Sequence, residues 1–556
     1  MLFRSVTEDR PPEIFTVTPP GLANTVDETI TIRGAAFRDP TVSMTCLDGG
    51  VETTVSGTVT TSSGTSIEAV VPSNDFNQAV CVVTVTNSDG PTASWAALSI
   101  RNPAENLFPW EAGTDMVEAR RAPGAAAART SSVERWVYAA GGDEGDASTA
   151  RSSIERAPIG VYGDLGEWEL LDGELPAPLT LMAATTIGEW VYLIGGDDGT
   201  GALASGWRAH VLDPEEVPRF ADLSVTDGGL GAGTWTWRVA ALYAATDVSN
   251  PGGESLAGDP IHATFPADTA GLGVTLTWDS VDDAVGYRVY RSPAAGDTTL
   301  EWVADTVDTS FFDDGLATDP SLTPLPAGAL GEWIALPEMA SARSSPCASW
   351  TADPEPDPVR VHLFVAGGLD ESGEPLDSVE RLDITIVTAG EHETDTWVDA
   401  GVTLTEARSQ CGAWTVDSTR HSVVDEGEAW LYFGGGLTDT RAVGTVDAGR
   451  VEVGGVFSEW DEIDSMSPAR AGFGVTSASD FLYGFGGQQG APSTGGVSGE
   501  LGEEPMPDVR NWNSLGVSLT EARYLAGSAQ ESAVVVQAGG ETDSASATRS
   551  TDVTRW

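Results

Sequence analysis

The stretch "EWVYLIGG" (189–196) is a run of aromatic and β-branched residues that stops on a pair of glycines. Such a run reads as a strand buried on both faces. Glycines at its end permit a positive φ and the close approach of a neighbouring backbone. The phrase is written six times, ending at Gly141-Gly142, Gly195-Gly196, Gly367-Gly368, Gly435-Gly436, Gly486-Gly487 and Gly539-Gly540. Three residues before each pair stands a large apolar side chain: Tyr138, Tyr192, Phe364, Tyr432, Tyr483 and Val536. Four of the five intervals are 51 to 68 residues and the fifth is 172, so one repeat carries a large insertion. A period of about fifty with four short strands per unit predicts a radial all-β repeat.

A second feature runs in phase with the first. Tryptophan precedes arginine by 10 or 11 residues at Trp110/Arg120, Trp333/Arg343, Trp397/Arg408, Trp460/Arg470 and Trp512/Arg523. Trp168 fills the sixth place, but Pro178 and Leu179 follow it and no arginine does. Glycine pairs and tryptophans together resemble the kelch repeat family. That resemblance implies a six-bladed kelch-type β-propeller with four strands per blade. In the second blade these are 179–187, 189–196, 203–212 and 330–336, innermost first, with the insertion between the third and fourth. The last repeat stops at Trp556 inside its third strand. The segment "NLFPWEAG" (106–113) holds the missing tryptophan and is expected to close the last blade, leaving no open edge.

Two guests accompany the repeats. Residues 11–102 alternate apolar and polar positions between Pro-Gly turns, the pattern of a small β-sandwich. They resemble the immunoglobulin-like IPT/TIG family at Pro12, Ile14, Pro19, Gly21, Ile32, Gly34, Phe37, Pro72, Val83, Asn87 and Gly90. The insertion, 222–325, resembles a fibronectin type III domain. "GTWTWRVAALY" (233–243) matches its late strands, and "VTLTWDSVDDAVGYRVYRS" (274–292) and "TSFFDDG" (309–315) match its early ones. The order is reversed, which leaves a permuted module and two half-modules open. Residues 103–221 then hold the first two blades and 326–556 the remainder. Residues 1–10 form a tail; "MLFRS" (1–5) reads as a translated sequencing adapter, so the natural chain is expected to extend further N-terminally.

Composition bounds the partners. The chain has 84 acidic and 28 basic residues, net charge −56, and no lysine. That excess argues against nucleic acid and anionic membranes. It fits life in high salt, where screening is short-ranged, and equally a GC-rich genome. No apolar stretch is long enough to span a membrane and no signal peptide is visible. Four cysteines allow three pairings. Cys46 and Cys81 lie in separate strands of the first sandwich, and Cys347 and Cys411 in similar places of adjacent blades; buried free thiols are the other reading. Small modules on a propeller favour an extracellular or cell-surface location.

Catalytic constellations are sparse. His210, His262, His362, His392 and His421 show no metal-ligand spacing, and His362 occupies a buried-strand position that tryptophan fills elsewhere. No nucleophile elbow or phosphate loop stands in context. Carboxylates follow the glycine pairs at Asp143, Asp197, Asp370, Asp439, Glu541 and Asp543. Turn chemistry explains them, no cofactor is expected, and calcium stays open because such loops supply oxygens. The expected binding face comprises these loops, with Asp143, Asp197, Asp370, Asp439, Gln488 and Glu541. Arg343, Arg408, Arg470 and Arg523 stand behind them, either bridging blades or meeting a carboxylate ligand. The reading is a non-enzymatic surface binding or adhesion protein with a protein or glycan ligand. A carbohydrate-active enzyme of galactose-oxidase-like architecture and a structural part of a surface assembly are the alternatives.

Overall fold

The computed structural model describes residues 11–101, 107–267, 271–353, 359–388, 390–418, 421, 423–425, 427–439, 441–478, 480–502, 508–542 and 546–556. The tail 1–10 and Asp543 lie outside them. The described residues form forty strands and two single 3-10 turns, an all-β chain. Contacts divide it into two compact units, one running to Trp207 and resuming at Ala335, the other Arg208–Ile334.

The first unit begins with an eight-stranded antiparallel-rich sheet over residues 13–101. Its alternating side chains bury a core of Ile30, Ile32, Met44, Ile67, Val83 and Leu98, among others. Cys46 and Cys81 stand opposite each other on paired strands and form a disulfide.

Six small antiparallel sheets follow, the first five ordered inner to outer along the chain and the sixth completed by an earlier strand. Their inner strands are Gly124–Arg129, Ala183–Ile187, Cys347–Ala352, Gly412–Asp417, Gly474–Ala478 and Gly527–Glu531. They are called sheets one to six below. The second sheet's inner strand starts at Ala183 and not at Leu179, because Leu181 adopts φ 57° and Thr180 bridges to Asp197. Its outer strand, Ile334–Ala335, follows Gly206–His210 across the insertion. The third sheet takes a fifth strand, Val398–Thr403, beside Ser378–Thr388. In the sixth sheet Thr551–Arg555 pairs with Glu111–Ala112, Asp552 facing Ala112 and Val553 facing Glu111. The segment that precedes the first of the six sheets and the last described strand thus meet in one sheet.

The repeated residues explain how one sheet meets the next. The first glycine of each pair holds φ between 62° and 64°. A Cβ on Gly367 would lie 2.3 Å from the Arg408 carbonyl oxygen of the next repeat, so a side chain is barred. The second glycine donates its N–H to the same carbonyl, as from Gly368 to Arg408 at 2.9 Å and from Gly196 to Arg343 at 2.8 Å. The tryptophans bind outer strands together: the indole N–H of Trp397 reaches Pro337 O, that of Trp460 Thr403 O and that of Trp512 Asp464 O. Cys347 and Cys411, at the start of neighbouring inner strands, form the second disulfide.

The unit Arg208–Ile334 holds a three-stranded sheet (Phe220–Leu230, Leu272–Trp278, Ser310–Asp313) and a four-stranded one (Ile261–Phe265, Gly233–Tyr243, Ala284–Arg291, Glu301–Thr306). Trp237, Trp278, Tyr287, Val274 and Leu276 pack into their common core. Asp313 joins the two sheets there, accepting from Trp237 Nε1 at 2.8 Å and from Arg291 Nη1 at 2.7 Å.

Candidate functional site

Six residues, one entering each inner strand, share a positive φ: Ala122, Leu181, Ser345, Gln410, Gly472 and Leu525. Each donates its N–H to the carbonyl of its counterpart in the preceding repeat. The bonds run Leu181 to Ala122, Ser345 to Leu181, Gln410 to Ser345, Gly472 to Gln410 and Leu525 to Gly472, and Ala122 closes the cycle on Leu525 at 2.8 Å. A left-handed conformation costs a non-glycine residue of the order of 1 kcal/mol, and the closed cycle of bonds offsets it. All six line a cavity of about 170 Å³ to which every sheet contributes.

Around this cycle lies a ladder of six bridges between the residue before each cycle member and the residue after each glycine pair. These are Arg121–Asp143, Thr180–Asp197, Ser344–Leu369, Ser409–Leu437, Ala471–Gln488 and Tyr524–Glu541. The rim is lopsided. Sheets six, one and two supply its charged residues, and sheets three to five supply serine, leucine, alanine and glutamine.

The charged arc is internally wired. Arg121 donates to both oxygens of Asp143 at 2.7 and 3.1 Å and to Glu541 at 3.3 Å. Thr180 donates to Asp143 at 2.7 Å, and the Tyr524 hydroxyl donates to Glu541 at 2.9 Å. Burial pulls the Arg121 pKa down, but Asp143 and Glu541 outweigh it and hold it above its ordinary value. Burial, with Glu541 alongside, pushes Tyr524 up to about 12. Arg121 and Tyr524 were not singled out from the sequence. Their signal was position, one residue before the cycle member, where the other repeats place Thr, Ser, Ser and Ala.

The expected site residues separate into two groups. Asp143 is fully buried and committed to Arg121 and Thr180. Glu541 is half-buried in the same arc. Asp197 and Asp370 are half-buried turn residues, their oxygens accepting Gly199 N at 2.8 Å and Ser372 N at 2.7 Å. The Ser372 hydroxyl and neighbouring N–H groups hold Asp370 below its ordinary pKa. Asp439 is exposed and Gln488 half-buried, in the turns after the glycine pairs of sheets four and five.

The arginines lie deeper. Arg343, Arg408, Arg470 and Arg523 are at most 1% exposed, as is Arg120. Each turns its guanidinium into its own sheet while its carbonyl receives the preceding one. Arg343 bonds Gly367 O at 2.8 Å, Ser378 O at 3.0 Å and Glu380 at 2.7 Å. Arg523 bonds Gly539 O at 2.9 Å and pairs with Asp552 at 2.7 Å, and Arg408 pairs with Asp447. In this structure they bridge sheets and stand behind the rim.

The histidines are dispersed. His362 is buried between Asp383 at 2.7 Å and Asp353 at 3.0 Å, and His392 meets the Tyr192 hydroxyl at 2.8 Å. Among the described residues, no three His, Cys, Asp or Glu side chains gather where they could hold one metal ion.

No family model and no curated protein matches this chain. Among solved structures, that of YjhT aligns with 79% of this chain and 95% of its own at 10% identity, with a TM-score of 0.40.

Proposed function

We propose that residues 103–221 and 326–556 form a six-bladed kelch-type propeller. On this reading 11–102 is an IPT/TIG-like module and 222–325 a permuted fibronectin type III-like one. The protein is an exported, non-enzymatic binding or adhesion protein that engages a protein or glycan with the rim around the cycle of six. One observation carries this reading: a closed cycle of six backbone bonds gathers the entry of every inner strand around one cavity, and bridges tie the residue after each glycine pair to it. A rigid ring with variable loops is a binding platform. Two disulfides fit an oxidising compartment. No helix of the described residues is long and apolar enough to cross a membrane. Acid excess without lysine fits a salt-rich habitat.

The test is a combined glycan and peptide array probed with the wild type and with a Gln488→Ala/Tyr524→Ala variant. Signal lost in a variant of unchanged melting temperature supports the rim. Equal signal from both moves the ligand to the sandwiches, and release of a chemically altered sugar from the array overturns the non-enzymatic reading.

A further inference from the structure

The two disulfides stand in unlike surroundings. Cys46 and Cys81 are fully buried in the core of the eight-stranded sheet over residues 13–101. Cys347 and Cys411 both line the cavity inside the cycle of six, which opens to solvent. Cys411 is partly exposed. Cys347 lies deeper, 4% exposed, with its sulfur 3.4 Å from Ala366 O. The cavity's volume of about 170 Å³ is that of roughly six waters at about 30 Å³ each. It admits a small thiol and excludes the active site of a protein reductant.

The place of this bond gives its exchange a consequence. Cys411 directly follows the cycle member Gln410, and Cys347 stands two residues after the cycle member Ser345. The disulfide therefore spans the same joint as the cycle bond from Gln410 N to Ser345 O at 2.9 Å. Sheets three and four are also joined by Gly368 N to Arg408 O at 2.9 Å, and by the hydroxyls of Ser349 and Thr415 at 2.7 Å. Those bonds remain when the sulfurs part, so the joint loosens without opening. The other disulfide lies in the sheet over residues 13–101, so no other joint of the cycle carries one.

We propose that Cys347–Cys411 is a thiol-exchange site that small aliphatic thiols reach through the cavity, and that its state sets how tightly sheets three and four are held together. The entering thiol gives up its proton and attacks the more exposed Cys411 sulfur. A new S–S bond forms there, the Cys347–Cys411 bond breaks, and Cys347 leaves as a thiolate that takes up the proton. A second thiol molecule then attacks the mixed disulfide, frees the Cys411 thiol and departs as the oxidised dimer of the small thiol. Two thiols are oxidised to one disulfide, and one disulfide of the protein is reduced to two thiols. Access and the sulfur attacked govern the rate of such exchange, and both favour this bond over Cys46–Cys81.

Differential alkylation read by mass spectrometry tests this on the full, folded chain, treated in parallel with 2-mercaptoethanol and with reduced thioredoxin. The small thiol should open Cys347–Cys411 at least about tenfold faster than Cys46–Cys81. Thioredoxin, the stronger reductant but too large for the cavity, should leave both intact. After reduction, hydrogen–deuterium exchange across 345–352 and 410–417 should rise while the circular dichroism stays that of the oxidised chain. Equal opening of the two disulfides by the small thiol overturns the proposal, because access then comes through unfolding. Opening of Cys347–Cys411 by thioredoxin overturns the route through the cavity. Unchanged exchange across both strands after reduction overturns the control of the joint.

Discussion

Arg470 keeps its place among the core arginines without a carboxylate. In sheets one, three, four and six, Glu155, Glu380, Asp447 and Asp552 stand across from the residue two before the glycine pair. In sheet five that place is Val497, opposite Gly484. Burial alone therefore pushes Arg470 down to about 10. The two kinds of arginine should respond differently to loss of charge. Arg408→Met strands Asp447 in the interior and should cost about 3–5 kcal/mol. Arg470→Met leaves no such charge and should cost distinctly less. Urea melts of both variants check this, and equal losses would contradict it. The spacing of tryptophan and arginine made these arginines visible in the sequence. Their carboxylates were not, because the pairing is set by cross-strand register after loops of unequal length.

Glu531 supplies a pH dependence. Burial opposes its charge, but Arg129 and Arg135 outweigh burial and hold its carboxyl below the usual range. As pH falls, the unfolded chain binds the proton first. The stability is thus present above about pH 4.3 and lost as pH drops through the lower folded value. Melting temperature should fall below about pH 4 less steeply in Glu531→Gln than in the wild type. Equal slopes would remove Glu531 from the account.

At the scale of elements, the strand Glu111–Ala112 matters beyond its two residues. It covers the edge of Thr551–Arg555, and Trp110 packs edge-on against Phe485 at 4.9 Å. Deleting residues 1–113 should lower the melting temperature well below that of a 1–101 deletion. The shorter deletion should itself cost a little, since Arg129 lies 3.9 Å over the Trp95 ring and bonds Ala96 O at 2.7 Å. Identical melts would contradict the closing role of this strand. This pairing was legible because one tryptophan strand was surplus at the start of the repeats and one was lacking at their end. The Cys347–Cys411 pairing was not, since spacing alone left free thiols open. It closes a loop of 64 residues, so reduction should cost about 4 kcal/mol on a chain-entropy view. A Cys347→Ala/Cys411→Ala variant as stable as the oxidised wild type would refute that. The two-sheet build of 208–334 has its strands in an order that single motifs misjudge, because each sheet gathers strands from distant parts of the insertion.

Across the whole molecule, charge and closure dominate. A net charge of −56 repels itself in the compact state, and salt at about 1 M cuts the screening length to about 3 Å. Melting temperature should climb with NaCl over that range; a flat or falling curve would argue against the salt-adapted reading. The periodic glycines made the repeat count legible. The lopsided rim was not, because its charges are placed by bridges between residues that sequence spacing does not connect.

The cycle of repeats closes on itself. Gly540 donates to Arg120 O at 2.8 Å, joining the last repeat to the first, just as Gly368 joins Arg408 and Gly487 joins Arg523. Hydrogen–deuterium exchange read by mass spectrometry on the intact protein compares these joints directly. The peptide across 534–542 should be as protected as those across 363–370 and 481–488. Fast exchange confined to 534–542, with the other two protected, would show an open ring and contradict the account.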